Sequence, residues 1–438
     1  MTTSTNHSKL TPQERQSVLR TLKSPRLLKT EVLAGLVVAL ALIPEAIAFS
    51  IIAGVDPRIG LFASFTMAVT IAFVGGRPAM ISAATGAIAL VIAPLVKSHG
   101  VDYFIAAVIL AGIFQIILAA LGVAKLMRFI PRQVMVGFVN ALAILIFMSQ
   151  VPELLGVPWL VYPLTALGLL IVFGLPKITT VVPAPLVAIV VLTLITVFAA
   201  LAVPTVGDKG DLPDALPALF IPNVPFTFET LQVLFPFALA MAFVGLLESL
   251  MTAKIVDDVT DTRSNKTREA WGQGVANIIT GFFGGMGGCA MIGQTMINVK
   301  ASAARTRIST FLAGVFLLSL VVSLGDIVAL IPMAALVAVM IFVSIATFDW
   351  HSIRPSTLKM MPKSETTVML ITVIFTVWTH NLAIGVGVGV LTAMVLFARR
   401  VAHFVTVTRT VVGTGDDDTA TYTVNGELFF ASSNDLYT

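Results

Sequence analysis

Two glutamates, Glu45 and Glu248, each lie alone inside a long apolar stretch, one in each half of the chain. Glu45 interrupts the run AGLVVALALIPEAIAFSIIAG, and Glu248 interrupts VLFPFALAMAFVGLLESLMTA. A carboxyl group inside a lipid-spanning segment is energetically costly, so such residues usually face a cavity, a pathway or a partner group. The pair therefore marks the part of the sequence best suited to transport chemistry.

Glu248 is followed one helical turn later by Thr252, on the same face of a predicted helix. A carboxylate and a hydroxyl together suffice to take a proton or to contribute to a sodium site. The alternative is a structural glutamate whose hydrogen bonds tie helices together.

Glu45 follows Pro44, which removes a backbone hydrogen bond and is expected to kink or unwind the span. Phe49 lies one turn further on, where it would wall a small substrate cavity. A fixed negative charge would repel an anion, so Glu45 fits an anion site if it is protonated when the anion is bound. A purely structural hydrogen bond is the alternative.

Two short segments rich in Gly, Ala, Ser and Thr, at 80–96 and 287–304, stand third in each half of the chain. Their sequences predict an extended entry followed by a helix that starts in mid-membrane, which is tolerated only around a cavity or inside protein. We place the two helix starts near Thr85–Gly86–Ala87 and near Gln294–Thr295. Free N–H groups and positive dipole ends suit an anion there. Close helix packing by small residues is the alternative.

The composition places most of the chain in lipid. Of 438 residues, 57% are hydrophobic and 11% are charged, whereas soluble domains carry about a quarter charged residues. About fourteen apolar segments follow one another, several shorter than the roughly twenty residues of a full span. They cover 31–54, 59–75, 80–96, 101–123, 133–151, 158–175, 180–203, 230–253, 272–284, 289–303, 307–323, 327–347, 366–380 and 382–398.

Other functional classes find little support in the sequence. The single cysteine, Cys289, excludes an intrachain disulfide and a Cys-cluster metal site, and the five histidines have no ligand spacing. We expect no metal, no cofactor and no enzymatic activity, because no nucleophile–base pair is apparent. The positive charge lies between the apolar runs, so it indicates orientation in a membrane and not binding of nucleic acid.

The charge distribution predicts the topology. With the N-terminus inside, the predicted outer turns hold only Arg58, Lys97 and Lys209 of the basic residues between spans. Fourteen spans, an even number, place both termini in the cytoplasm. They divide into seven and seven, and an odd-numbered repeat forces the second copy to run upside down, giving inverted repeats.

The sequence divides into three regions. Residues 1–30 form a polar cytoplasmic segment, 31–400 the transmembrane transport domain, and 401–438 a linker with the first strands of an incomplete soluble domain. The last region has the alternation TATYTVNGELFF, preceded by the acidic loop GTGDDDT.

Several stretches carry a resemblance to a known family. IPEAIAFSIIAGVDPRIGLFASF, FVGGRPAMISAATGA and REAWGQGVANIITGFFGGMGGCAMIGQTMINVKASAARTRIST resemble signature stretches of the SulP (sulfate permease) anion transporters, the family of prestin and pendrin. The similarity runs from about residue 30 to 400. YTVNGELFFASSNDLY is similar to the opening strands of the family's C-terminal STAS domain, an α/β domain whose remainder is absent here.

The resemblance implies an all-α fold of seven-plus-seven inverted repeats, shared with nucleobase transporters. It implies a core domain with broken third and tenth spans, a gate domain, an elevator-like movement of one against the other, and commonly a homodimer. The family's anion site lies between the third- and tenth-span helix starts, with first- and eighth-span residues beside it. By motif position these are Glu45, Phe49, Thr85, Gly86, Ala87, Glu248, Thr252, Gln294 and Thr295.

Differences within the family bear on coupling. Animal members have glutamine at the motif position of Glu45, so a glutamate favours a proton-coupled bacterial symporter over a chloride exchanger. Bicarbonate-type members carry an aspartate and a threonine where Glu248 and Thr252 stand, which keeps sodium coupling open. The tenth span lacks the serine–arginine pair of the voltage-sensing animal member, which argues against a motor role.

The sequence thus predicts a secondary active transporter that imports a small anion with protons. The candidate substrates are a dicarboxylate such as fumarate, sulfate and bicarbonate. A carboxylate is slightly favoured, because Gln294 and Thr295 supply dipoles and weak donors without an arginine. The alternatives are a sodium-coupled bicarbonate symporter, a nucleobase–proton symporter on the same fold, and an uncoupled anion channel. Gln294–Thr295 lacks the further acidic residue that a nucleobase carrier would place there.

Overall fold

A computed structural model describes residues 17–126, 130–179, 183–402, 406–412 and 419–425 of the chain. Three predictions therefore fall wholly or partly outside the described part. They concern the polar N-terminal segment (residues 1–16), the acidic loop (413–418) and the strand sequence after Asn425 (426–438).

The described part is built mainly of helices. In the first half these are α1 Val18–Lys23, α2 Pro25–Ala53, α3 Pro57–Val74, α4 Gly86–Ala120, α5 Val123–Leu126, α6 Arg132–Gln150, α7 Val161–Gly174 and α8 Ala184–Phe198. In the second half they are α9 Phe228–Thr260, α10 Lys266–Phe282, α11 Ile292–Met296, α12 Arg307–Ser323, α13 Gly325–Ala329, α14 Met333–Thr347, α15 Pro355–Met360, α16 Lys363–Thr379 and α17 Leu382–Ala402. A π-helical turn, Ile297–Ala301, continues α11.

Each apolar segment predicted from sequence overlaps a helix. Most of segment 80–96 and most of segment 101–123 lie in one helix, α4, which is broken between them at Gly100, where φ is 82°. Among the described residues, six helices are long and apolar enough to cross a membrane, and four shorter apolar helices accompany them. The count of fourteen spans stays a prediction.

Two local expectations need correction. The helix α2 continues through Pro44 without unwinding, because a proline removes one backbone bond while the neighbouring turns remain hydrogen-bonded. The segment 327–347 is two helices, α13 and α14, separated at Pro332. At Pro332 the chain pairs with the loop between α8 and α9. The Val206 N–H donates to the Ile331 carbonyl, and the Met333 N–H donates to the Pro204 carbonyl.

The helices pack in two bundles. In the first bundle, α2 packs on α3 and α12, α4 on α9 and α10, and α10 on α3. In the second bundle, α6 packs on α14, α16 and α17, and α7 packs on α8 and α14. The bundles meet where α2 contacts α14 and α8, where α9 contacts α17, and where α4 contacts α6.

The packing of one half repeats in the other. The pair α2–α12 has its counterpart in α9–α4, and α3–α12 in α10–α4. Within the second bundle, α6–α16 corresponds to α14–α7, and α7–α8 corresponds to α16–α17. Exchanging the two halves of the chain therefore maps these contacts onto one another, as expected for two structural repeats.

Two short sheets complete the fold. The strands β1, Ser82–Ala83, and β2, Cys289–Ala290, pair antiparallel deep in the first bundle. The strands β3, Thr406–Val412, and β4, Thr419–Asn425, form an antiparallel hairpin after α17. The second hairpin strand matches the predicted alternation, whereas β3 was not predicted.

Candidate functional site

The strand pair β1–β2 brings the two predicted helix starts together. Ser82 pairs with Ala290 and Ala83 with Cys289, and all four residues are buried. The backbones approach so closely that a Cβ on Gly288 would lie 1.9 Å from the carbonyl oxygen of Ala83. Each strand ends just before a helix, so α4 and α11 start on either side of one small region.

The first helix start is where the sequence predicted it. The helix α4 begins at Gly86, with Thr85 as the N-cap residue. The Thr85 side chain does not cap the helix, because its hydroxyl contacts the thiol of Cys289 instead. The first-turn N–H groups consequently keep their capacity to bind an anion.

Phe49 and Ile146 close over this helix start from two sides. A Cβ on Gly86 would lie 2.8 Å from Phe49 Cε1 and 3.1 Å from Ile146 Cδ1. Phe49 belongs to α2 in the first bundle and Ile146 to α6 in the second. A side chain at position 86 would therefore displace Phe49, and the cover over the helix start involves both bundles.

The second helix start lies slightly earlier than predicted. The helix α11 begins at Ile292, two residues before Gln294, and Met291 at the N-cap supplies no side-chain cap. Gln294 is buried, and its side chain lies beside the Glu45 carboxyl of α2. Thr295 faces the other strand, since its hydroxyl oxygen accepts from the Ile81 N–H at 3.0 Å.

Glu248 lies on α9 beside the strand pair. Its side chain is buried, and its Oε2 accepts a hydrogen bond from the Cys289 thiol at 3.0 Å. Thr252 lies one turn further on, but its hydroxyl donates to the backbone carbonyl of Glu248 at 2.7 Å. It also lies 3.5 Å from the carbonyl oxygen of Ala290. The hydroxyl of Thr252 thus contacts the backbone around the carboxylate and not the carboxylate itself.

A polar stripe on α10 supports the strands. Glu269, Gln273, Asn277 and Thr280 recur about every turn and are all buried. Asn277 holds Gly288, accepting from its N–H at 2.8 Å and donating to its carbonyl at 3.1 Å. Gln273 donates to the hydroxyl of Ser82 at 2.7 Å. One helix face therefore fixes residues at both strands.

The loop before β1 is anchored by buried charges. The Glu269 carboxylate accepts from the N–H groups of Gly76 and Arg77 at 2.7 Å and 3.0 Å. The Arg77 guanidinium lies 3.1 Å from the Asp257 carboxylate and donates to the hydroxyl of Thr262. Burial lowers the pKa of Arg77, and the negative charge of Asp257 opposes that shift. These bonds fix where the chain enters the strand pair.

A cavity lies where the two bundles meet, near the end of α2. Its volume is about 290 Å³, and its lining includes Ala48 and Ile51 of α2, Gln150 of α6 and Met333 of α14. Glu153 at its rim forms an ion pair with Lys209 at 2.8 Å. Glu45 lies in the middle of α2 one turn before Ala48, and the residue as a whole is partly buried.

All nine predicted site residues lie around the two helix starts, although Thr252 and Thr295 point their hydroxyls at backbone. The sequence analysis missed the role of Cys289 as a bridge and the polar stripe on α10. The spacing of Glu269, Gln273 and Asn277, four residues apart and so on one face of a helix, was the signal for the stripe. Within the described ranges, no group of three or more His, Cys, Asp or Glu side chains could hold a metal ion.

Comparisons with known proteins identify the family of the chain. The model of the sulfate permease family matches residues 28–162 and 158–372. The putative sulfate transporter YbaR of Bacillus subtilis is 54% identical over 93% of this chain and 84% of its own length. The bicarbonate transporter BicA of a Picosynechococcus strain is 27% identical over 90% of this chain and 74% of its own.

Solved structures share the fold. The transmembrane domain of a cyanobacterial BicA superposes with a TM-score of 0.72 at 24% identity, covering 84% of this chain and 98% of that one. Murine Slc26a9, an anion transporter in the inward-facing state, superposes with a TM-score of 0.76 at 16% identity, covering 96% and 77%. With the helix starts, the buried carboxyl and these matches in agreement, the chain belongs to the sulfate permease family and is a multi-pass membrane transporter of anions.

Proposed function

We propose that this protein is a proton-coupled symporter that imports a small oxyanion. One observation carries the proposal. The start of α4 has no side-chain cap and suits an anion, and Cys289 connects Thr85 at this helix start to the buried carboxyl of Glu248. An anion binds at the starts of α4 and α11, and Glu248 carries the coupling proton. Glu45 lies beside Gln294. Protonation of Glu45 removes the repulsion that its negative charge would exert on the anion.

The proposed transport movement is of the elevator type. The first bundle, which holds both helix starts, acts as the core domain, and the second bundle acts as the gate. The repeated helix pairs of the two halves support fourteen spans arranged as seven-plus-seven inverted repeats. Residues 31–400 form the transport domain, and residues 401–438 contain the beginning of a STAS domain. The protein works in the bacterial inner membrane as a homodimer with cytoplasmic termini.

The substrate is proposed to be a dicarboxylate such as fumarate, sulfate or bicarbonate. The donors at the site are backbone N–H groups and the side chains of Thr85 and Gln294, which favours a carboxylate that can accept several weak donors. The names of YbaR and BicA point to sulfate and bicarbonate respectively.

Sodium-coupled bicarbonate symport is the second candidate. It is supported by the likeness to BicA and by two neighbouring oxygen atoms, the hydroxyl of Thr252 one turn after Glu248 and the Ala290 carbonyl, which lie 3.5 Å apart. Oxygen ligands of this kind suit a hard cation.

Uptake into proteoliposomes decides between these functions. Radiolabelled fumarate, sulfate and bicarbonate are supplied under an imposed proton gradient, an imposed sodium gradient, or neither. Proton-coupled symport predicts that one anion accumulates only with an inward proton gradient. Accumulation driven by sodium alone supports the second candidate. Uptake that neither gradient affects refutes both, and indicates a channel if large anion currents accompany it.

A further inference from the structure

Cys289, the single cysteine of the chain, touches both functional parts of the candidate site. Its sulfur lies 3.0 Å from Glu248 Oε2 and 3.2 Å from Thr85 Oγ1. The three side chains come from β2, from α9 and from the residue that precedes α4, and all three are buried. Cys289 therefore joins the proposed proton carrier to the start of the helix that would hold the anion.

The hydrogen-bond directions are fixed while Glu248 is ionised. A carboxylate only accepts, so the thiol must donate its one hydrogen to Glu248. The sulfur then has no hydrogen left for Thr85, and it accepts from the Thr85 hydroxyl. In this state the hydroxyl hydrogen of Thr85 points away from an anion at the start of α4.

Protonation of Glu248 permits the opposite directions. A protonated carboxyl has an O–H that can donate to the sulfur of Cys289. The thiol then donates to Thr85 Oγ1, in keeping with a contact in which either atom can be the donor. The hydroxyl hydrogen of Thr85 is released, and it becomes a further donor at the first turn of α4. One proton bound at Glu248 thus adds one donor to the anion site without any movement of the backbone.

We propose that Cys289 is a positioning residue that couples proton binding at Glu248 to anion binding at Thr85 by reversing this hydrogen-bond chain. The proposal rests on the proposed symport function. It predicts that protonation of Glu248 raises anion affinity about ten-fold, the effect of one additional hydrogen bond to a charged group.

Among the described residues, hydrogen bonds through Cys289 connect the Glu248 carboxyl to Thr85 at the start of α4. The other groups near Glu248 bond elsewhere. From its own helix, the Thr252 hydroxyl bonds the backbone of Glu248, and the Ser249 hydroxyl accepts from the Ala290 N–H. From α2, the carboxyl of Glu45 interacts with Gln294 of α11. From β2, the Cys289 thiol is the titratable group that contacts the Glu248 carboxyl.

Two substitutions test the coupling by binding measurements. Equilibrium binding of radiolabelled sulfate, fumarate and bicarbonate is measured on purified protein at an acidic and an alkaline pH. A serine hydroxyl can both donate and accept, so C289S should keep the ratio of the two affinities. C289A breaks the chain and should reduce the ratio about ten-fold. If C289A keeps the wild-type ratio, or if C289S loses it as fully as C289A, the relay is refuted.

Infrared spectroscopy tests the relay in the unaltered protein and does not depend on transport. Because the chain has one thiol, a single S–H stretching band reports the hydrogen bond that Cys289 donates. We expect this band to shift as pH is lowered in wild-type protein and to stay fixed in E248Q. A band that does not respond to pH refutes the relay even where uptake is driven by protons. A band that shifts while uptake ignores the proton gradient refutes the symport function and, with it, the coupling role of Cys289.

Discussion

Truncation of Asn277 should destabilise the protein strongly, because this side chain holds the second strand in place. Asn277 is buried and makes three hydrogen bonds: two with the backbone of Gly288 and one, at 2.9 Å, with the side chain of Gln115. The substitution N277A leaves three polar groups without these partners, namely the N–H and carbonyl of Gly288 and the amide oxygen of Gln115.

The expected loss follows from these three groups. A buried polar group left without a partner costs about 1–3 kcal/mol, so the loss of partners for three such groups in N277A should lower the free energy of unfolding by about 3–9 kcal/mol. That loss is a large part of a typical stability of about 5–15 kcal/mol. Displacement of Gly288 should also misplace β2 and abolish anion uptake.

The assay is denaturant unfolding of purified protein in mixed micelles, followed by tryptophan fluorescence. The matched control is T267A on the same helix, where the side chain is exposed and the change should stay within about 0.5 kcal/mol. If N277A unfolds within about 1 kcal/mol of the wild type, the hydrogen bonds of Asn277 do not hold the strand pair and the reasoning is wrong.

Four further substitutions follow from the same geometry. G288A should abolish uptake, because its Cβ would lie 1.9 Å from the Ala83 carbonyl oxygen and force the strands apart; wild-type uptake would contradict this. G86A should weaken anion binding and cost about 1–3 kcal/mol of overpacking against Phe49. The control is G293A at the other helix start, whose Cβ meets no atom within 4 Å and which should leave the melting temperature unchanged or raised. If G86A melts at the same temperature as the wild type, the predicted clash with Phe49 is wrong. E248Q should abolish proton-driven accumulation of anion while downhill exchange persists, and proton-driven accumulation that survives would remove Glu248 from the coupling site.

The sequence predicted the elements of the fold well, because lipid imposes a strong pattern on them. Long apolar runs must form helices where backbone groups find no water, and every predicted segment overlaps a helix, although two segments share α4 and one is divided between α13 and α14. The start of α4 was also predictable, since Thr85–Gly86–Ala87 interrupts an apolar run with small residues. Even the break at Gly100 fell between two predicted segments.

The details of the site were less predictable because they depend on contacts between distant parts of the chain. Cys289 contacts Thr85 across 204 positions of sequence, and periodicity within one helix carries no information about such a pair. The hydroxyls of Thr252 and Thr295 were expected to face the site, but each finds a nearby backbone group instead. The start of α11 was misplaced by two residues because the residues of β2 resemble the helix that follows.

Proton entry into proteoliposomes during anion uptake tests the central claim most directly. Liposomes containing a trapped pH-sensitive dye are prepared without sodium or any imposed proton gradient, with the membrane potential clamped to zero, and fumarate or sulfate is added outside. The account predicts that the transported anion acidifies the interior in wild-type liposomes and leaves it unchanged in liposomes with E248Q. Uptake of that anion by the wild type at constant internal pH would contradict proton-coupled symport.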